Sequence, residues 1–203
     1  MHTILHYLVT HCQLNATSTF VDVGSGIGKP VLHAALYAQP QHAIGIEIAQ
    51  SQWMLAVSTV LAQRHHLQNT TPPPISYIHA DINDIHSLNP CTHLYMFDVG
   101  FPDDLYQHIA VIIRHTPTIR HLVCYRPEHL IRAGLRMGIT LAIAPVACVI
   151  THMHGSDRQH RAYIYNCNTH LTPCPRCTDN RMQRSLNALH RLHHTPAAYY
   201  QWL

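Results

Sequence analysis

Three carboxylates stand at the ends of three short, β-branched runs: Asp22 in "TFVDVG", Glu47 near the end of "HAIGIEI" and Asp81 closing "ISYIHAD". Between the first two lies "VDVGSGIGKP", in which Gly24, Gly26 and Gly28 alternate with Ser25 and Ile27 and are followed by Lys29. Glycines at this spacing let a turn adopt positive φ and approach a ligand without side-chain clash. The chemistry that suits the set is capture of a ligand carrying both a cation and an adenosine. Asp22 would attract an ammonium, and Glu47 would accept from both ribose hydroxyls while rejecting a phosphorylated ribose. Asp81 would accept from the adenine amino group, with Ile48 and Ile82 on either side of the ring.

The spacing G-x-G-x-G differs from the dinucleotide fingerprint G-x-G-x-x-G, and no G-x-x-x-x-G-K-[ST] is present, which excludes a P-loop. An acid just inside the strand would also repel a pyrophosphate. D-x-G-x-G-x-G is therefore more compatible with S-adenosylmethionine than with a nicotinamide dinucleotide. A fourth motif, "LYMFDVGFP", ends another β-branched run. There Asp98 could orient an incoming amine and Phe101 could wall its channel; the competing reading makes Asp98 a helix cap and Phe101 a core residue. Positioning is most of such a transfer, since a sulfonium methyl is already reactive. A lysine amine, with a reference pKa of about 10.4, must lose its proton first, which an apolar channel favours.

The elements that must position these groups alternate between short apolar runs and segments of helical period, the pattern of a parallel sheet covered on both faces. "LHYLVTHCQL" (5–14) reads as a leading helix, "KPVLHAALYA" as a helix opened by Pro30, and "SQWMLAVSTVLAQRHH" as a helix with Trp53, Met54, Val57, Val60 and Leu61 along one face. "HLYMFDVG" reads as a fourth strand, "PDDLYQHIAVIIRH" as a helix begun by acids, "RHLVCYRP" as a fifth strand, and "EHLIRAG" as a short helix. "ITLAIAPVACVITHM" and "RAYIYNCN" read as a closing antiparallel hairpin. Five β/α units and a hairpin predict an α/β, doubly wound, Rossmann-like seven-stranded methyltransferase sheet. The domain is expected over residues 1–168, followed by a Cys/His-containing tail over 169–203 whose Met182, Leu186, Leu189 and Leu192 fall at helical spacing.

Composition bounds the partners. With 203 residues and 47% hydrophobic content the chain can bury one substantial core. A net charge of +3, from 13 basic and 10 acidic residues, builds no strong field for polyanions, although the segment from Arg176 to Arg191 is locally basic. No apolar stretch is long enough to span a bilayer, and a soluble, intracellular protein is expected. The 21 histidines accompany an enrichment in Thr, Pro and Gln, a bias of composition more than a ligand set. Seven cysteines, in runs such as "LVCY" and "VACVI", suit buried thiols. Cys167, His170, Cys174 and Cys177 have ligand types suited to zinc, but their central spacer is short and Cys167 should end a strand, so no metal is expected.

Together these residues resemble the non-SET histone lysine methyltransferases called disruptor of telomeric silencing. "FVDVGSGIGKPVLHAAL" is similar to that family's glycine signature and following helix, Glu47 falls where it has a ribose-binding glutamate, and "HADI" where it has an aspartate beside the adenine. "LYMFDVGFP" resembles its strand-four motif, with Asp98 standing for an asparagine, "HLVCYRP" resembles its valine-serine-serine-lysine-proline strand, and Tyr163 falls where a hairpin tyrosine faces the lysine channel. Lys29 replaces the family's glutamine or asparagine. The resemblance implies S-adenosylmethionine bound by Asp22, Gly24, Ser25, Gly26, Gly28, Lys29, Glu47, Ile48, Asp81 and Ile82. It implies an acceptor channel of Asp98, Phe101 and Tyr163, a protein lysine such as that of a core histone as acceptor, and a nuclear location. The alternatives are a small-molecule or nucleic-acid acceptor on the same fold, or a cofactor-binding domain without activity.

Overall fold

The computed structural model describes residues 1–66, 74–136, 144–152 and 158–167. In chain order these form α1 (His2–His11), β1 (Thr19–Val23), α2 (Lys29–Tyr37), β2 (His42–Glu47), α3 (Gln50–His66), β3 (Ile75–His79), β4 (His93–Met96), α4 (Asp103–Arg114), β5 (His121–Cys124), α5 (Pro127–Arg136), β6 (Ala147–His152) and β7 (Gln159–Asn166). The seven strands make one sheet in the order β3-β2-β1-β4-β5-β7-β6. β1 to β5 are mutually parallel, and β7 runs antiparallel to both β5 and β6. The order reverses between β1 and β4, so the crevice at their carboxyl ends is where such a sheet takes its ligand.

Every residue of β1 is buried, as expected of a central strand covered on both faces. Side chains alternate across it. Phe20 faces α1, packing with Ile4, Leu5, Leu8, Tyr95 and Ile164, whereas Val21 and Val23 face the other side with Tyr106, Ile109, Ile113 and Leu130 of α4 and α5. Asp103 and Asp104 occupy the first turn of α4, where their charge complements the helix dipole.

Several elements differ from the sequence expectations. The fourth strand ends at Met96, and Asp98–Gly100 form a 3₁₀ turn. α3 packs through Trp53, Ala56, Val57 and Val60, at spacing i, i+3, i+4, i+7, while Met54 and Leu61 are exposed. Among the thiols, Cys12, Cys91 and Cys124 are buried, but Cys148, on the edge strand β6, is exposed among the described residues. The tail helix, and His170, Cys174 and Cys177 of the zinc-like spacing, lie outside the described residues. Among the described residues no group of His, Cys, Asp or Glu is arranged to hold a metal, and no helix is long and apolar enough to cross a membrane.

Candidate functional site

The glycine turn after β1 is built by hydrogen bonds from β2. Gly24 and Ser25 amides donate to the Ile46 carbonyl at 2.9 and 3.0 Å, and the Gly26 amide donates to Oε2 of Glu47 at 2.7 Å. Gly24, Gly26 and Gly28 all have positive φ. At Gly28 there is no alternative to glycine, because φ is +80° and a Cβ would lie 2.3 Å from the Tyr77 hydroxyl. That hydroxyl donates to the Gly28 carbonyl at 2.8 Å, locking the turn onto β3. Phe101 covers the turn from the other side: a Cβ on Gly24 would meet its ring at 3.1 Å.

Gly45, in the middle of β2, is a site residue that the sequence reading did not single out. It lies beside Asp22 in the parallel register, and a Cβ there would come within 2.6 Å of Ser25 Oγ and 2.7 Å of the Tyr77 ring. An isolated glycine inside a strand pattern signals this kind of close approach.

Asp22 is 1% exposed, and among the described residues neither of its carboxylate oxygens has a hydrogen-bond partner, nor does Ser25 Oγ. Burial, and secondarily the charge of Glu47, hold its pKa well above the ordinary carboxylate value. A buried acid without a donor is costly in a protein interior. It is stabilised by a cation that brings its own N–H groups, so the site fits an ammonium-bearing ligand. Glu47 is 8% exposed; Oε1 accepts from the Ala49 amide at 2.7 Å and Oε2 from Gly26. These two bonds use half of a carboxylate's roughly four acceptor positions, leaving capacity for a diol. Lys29 opens α2, exposed and without an ion pair among the described residues.

At the next strand ends, Oδ1 of Asp81 accepts from the Asn83 amide and side chain, capping the 3₁₀ turn that carries Ile82. Ile82 is 8% exposed, whereas Ile48 is 62% exposed, a large apolar side chain left open at the mouth of the site.

Asp98 has a different task from the one expected of it. It is fully buried; Oδ1 accepts from the Tyr125 amide at 2.6 Å, and Oδ2 accepts from the Arg126 amide at 3.2 Å and the Tyr106 hydroxyl at 3.1 Å. It ties the end of β4 to the end of β5 and to α4, both oxygens being engaged within the protein, and Pro102 rather than Asp98 is the N-cap residue of α4. Burial raises its pKa against the opposing pull of those donors. Tyr163 is half-buried and packs on the α4–α5 side. On the opposite face, the ends of β4 and β5 and the start of β7 bring together Phe97, Tyr125 and His160. The Phe97 ring meets Tyr125 at 4.7 Å and His160 at 5.3 Å, both edge-on. Tyr125 is fixed by a hydroxyl contact of 3.1 Å with Tyr95. Sequence reading missed this aromatic group because its members lie far apart in the chain, joined only by strand order.

Comparison with known proteins bears on the family and the fold. Residues 1–116 match the model of a family described as "Histone methylation protein DOT1". No curated protein matches the sequence. Among solved structures, magnesium protoporphyrin IX methyltransferase from Synechocystis PCC 6803 with bound SAH superposes with a TM-score of 0.59 at 12% identity, covering 81% of this chain and 80% of that one. An RNA methyltransferase from Salinibacter ruber in complex with S-adenosyl-L-homocysteine gives 0.52 at 15% identity, covering 85% and 97%. TrmK from M. capricolum in complex with S-adenosyl-homocysteine gives 0.53 at 12%, covering 81% and 68%. At such identities the likeness is one of fold.

Proposed function

The chain belongs to the histone methylation protein DOT1 family, and on that footing we propose that it binds S-adenosylmethionine over the glycine turn and transfers the methyl group to a lysine of a protein substrate, a core histone being favoured. The observation that carries the cofactor assignment is Asp22, a buried carboxylate with two unpartnered oxygens beside a glycine turn that Glu47 holds. Asp22 would take the cofactor ammonium and Glu47 the ribose diol. Ile48 and Ile82 would enclose the adenine, and the free oxygen of Asp81 would meet its amino group. Gly24, Ser25, Gly26 and Gly28 would form the floor. S-adenosylmethionine, when bound, supplies an electrophilic methyl on a sulfonium.

The chain's own part is to orient the acceptor and keep water away. Phe101 lies over Gly24, so its ring bounds the cofactor side of the channel, and Phe97, Tyr125 and His160 bound the other. Exclusion of water disfavours the protonated lysine and so favours the neutral amine that must attack, and aromatic faces stabilise the methylated ammonium that results. Asp98 and Tyr163 contribute by holding β4, β5 and the hairpin in place. The reading implies a nuclear protein.

A second reading, a small-molecule or RNA acceptor, is favoured by the similar structures, two of which are an RNA methyltransferase and a magnesium protoporphyrin IX methyltransferase. The deciding experiment is transfer of radiolabelled methyl from S-adenosylmethionine to nucleosomes, free histones, RNA and a small-molecule extract in parallel. Label in histone, lost in Asp22→Asn, is the expected result. Label only in RNA or the extract selects the second reading, and cofactor binding with no labelled product anywhere indicates a binding domain without activity.

A further inference from the structure

Two histidines hold the two apolar walls of the expected adenine site by their backbone carbonyls. On the β2 side, Nε2 of His79 lies 3.0 Å from the Ile48 carbonyl. On the β3 side, Nε2 of His108, from α4, lies 3.0 Å from the Ile82 carbonyl and 2.9 Å from that of Ile85. A carbonyl only accepts, so in each ring Nε2 carries the hydrogen and donates. From these contacts we infer that His79 and His108 are positioning residues for the purine, acting through Ile48 and Ile82; the inference rests on the cofactor reading above.

Each imidazole is itself braced. The indole of Trp53 stacks on His79 at 5.3 Å between ring centres, and its Nε1 donates to the Tyr77 carbonyl at 3.0 Å, joining α3 to β3. His108 closes the 3₁₀ turn whose first residue is Ile82, the same turn that Asp81 caps from the other end. The need is greatest at Ile48. It follows the last residue of β2, beyond the strand ladder, and its side chain is largely exposed. Without His79 its carbonyl loses the one side-chain donor the structure gives it. Two flat walls must face each other across a ring, so freedom at either costs stacking and leaves the contacts of the methionine part unchanged.

The test is calorimetric titration of the whole chain with S-adenosylhomocysteine, alongside urea unfolding without ligand. His79→Ala is expected to weaken binding roughly three- to tenfold, the loss of one hydrogen bond. His79→Gln, whose amide can donate to the same carbonyl, is expected within about twofold of wild type. His108→Ala, whose ring is partly buried, should weaken binding by a similar factor and be rescued by His108→Gln. A purely structural role would shift the urea midpoint while leaving the affinity of the folded protein unchanged. Unchanged affinity in both alanine variants, with wild type binding normally, overturns the inference. Failure of wild type to bind S-adenosylhomocysteine overturns the cofactor reading, and the inference with it.

Discussion

Replacing Glu47 by glutamine separates the two tasks that its position gives it. Its two oxygens hold the Gly26 and Ala49 amides at 2.7 Å each, at 8% exposure, before any ligand arrives. Glutamine keeps one acceptor oxygen and turns an NH₂ toward the other amide, leaving a buried donor facing a donor. Such an orphaned group costs roughly 1–3 kcal/mol, so the unliganded protein should lose about 2 kcal/mol, a fall in Tm of roughly 4–8 °C for a domain of this size. Removing one charged acceptor from the ribose diol should cost a further 1.5–3 kcal/mol of binding, roughly 10- to 100-fold in Kd for S-adenosylhomocysteine. Urea unfolding reads the first number and calorimetry the second. Stability within about 0.5 kcal/mol of wild type would refute the role in the turn. Lowered stability with unaltered affinity would make Glu47 a structural residue and remove it from the ribose site.

Three further outcomes are expected. Because Asp22's pKa is raised by burial, the folded chain retains a proton that the unfolded chain has given up, so this group's contribution to stability falls as pH rises above 3.8 through its folded value. Cofactor binding should then release a proton at any pH between 3.8 and the folded value, seen as a buffer-dependent calorimetric enthalpy that Asp22→Asn abolishes, and a buffer-independent wild type would argue against the ammonium contact. His93 is 1% exposed, bonded to the Cys12 carbonyl and stacked on His121; burial lowers its pKa from 6.5 to about 4. The unfolded chain therefore takes the proton first, and stability present above pH 6.5 should fall by about 3 kcal/mol as pH drops through that window; urea midpoints compared with His93→Gln would show no such difference if the ring is solvated. Lys29 sits unfavourably at the positive end of α2, so Lys29→Gln should raise the unliganded Tm slightly while weakening S-adenosylhomocysteine a few-fold if the lysine pairs with its carboxylate; equal affinities would remove Lys29 from the site.

The succession of strands and helices and the glycine turn were legible because periodicity and glycine spacing are local properties that this sheet topology uses directly. What was not legible depends on neighbours. Met54 and Leu61 of α3 are apolar and fit a helical stripe, yet both are exposed, and the helix buries Ala56 and, in part, Trp53, Val57 and Val60 instead. Cys148 lies in an apolar run, yet on the edge strand β6 it is exposed among the described residues. Gly45 was visible as a glycine in a strand, but only the fold reveals that Ser25 and Tyr77 occupy the space its side chain would need. The aromatic group of Phe97, Tyr125 and His160 needs β7 inserted beside β5, a pairing that no local signal encodes.

Asp22 and Asp98 carry the same chemistry at the ends of adjacent strands, and their difference locates the function. Asp98 is fully buried where the chain just after β5 presents two amides and α4 a hydroxyl, so three of its roughly four acceptor positions are used inside the protein. Asp22 lies between Gly45, which has no side chain, and Tyr95, whose hydroxyl contacts Tyr125, so no donor of the described residues reaches it. Asp22→Asn should therefore stabilise the unliganded protein while weakening the ligand, since an amide removes the buried charge and with it the pairing for a cation. Asp98→Asn should do the reverse, destabilising the protein because its NH₂ would confront either the Tyr125 amide or the Arg126 amide, depending on which oxygen it replaces, with ligand affinity altered only as far as the strand ends move. Opposite signs in unfolding and titration for two substitutions of the same kind are what a socket beside a tie requires; matching signs would mean that the two acids do not divide the work this way.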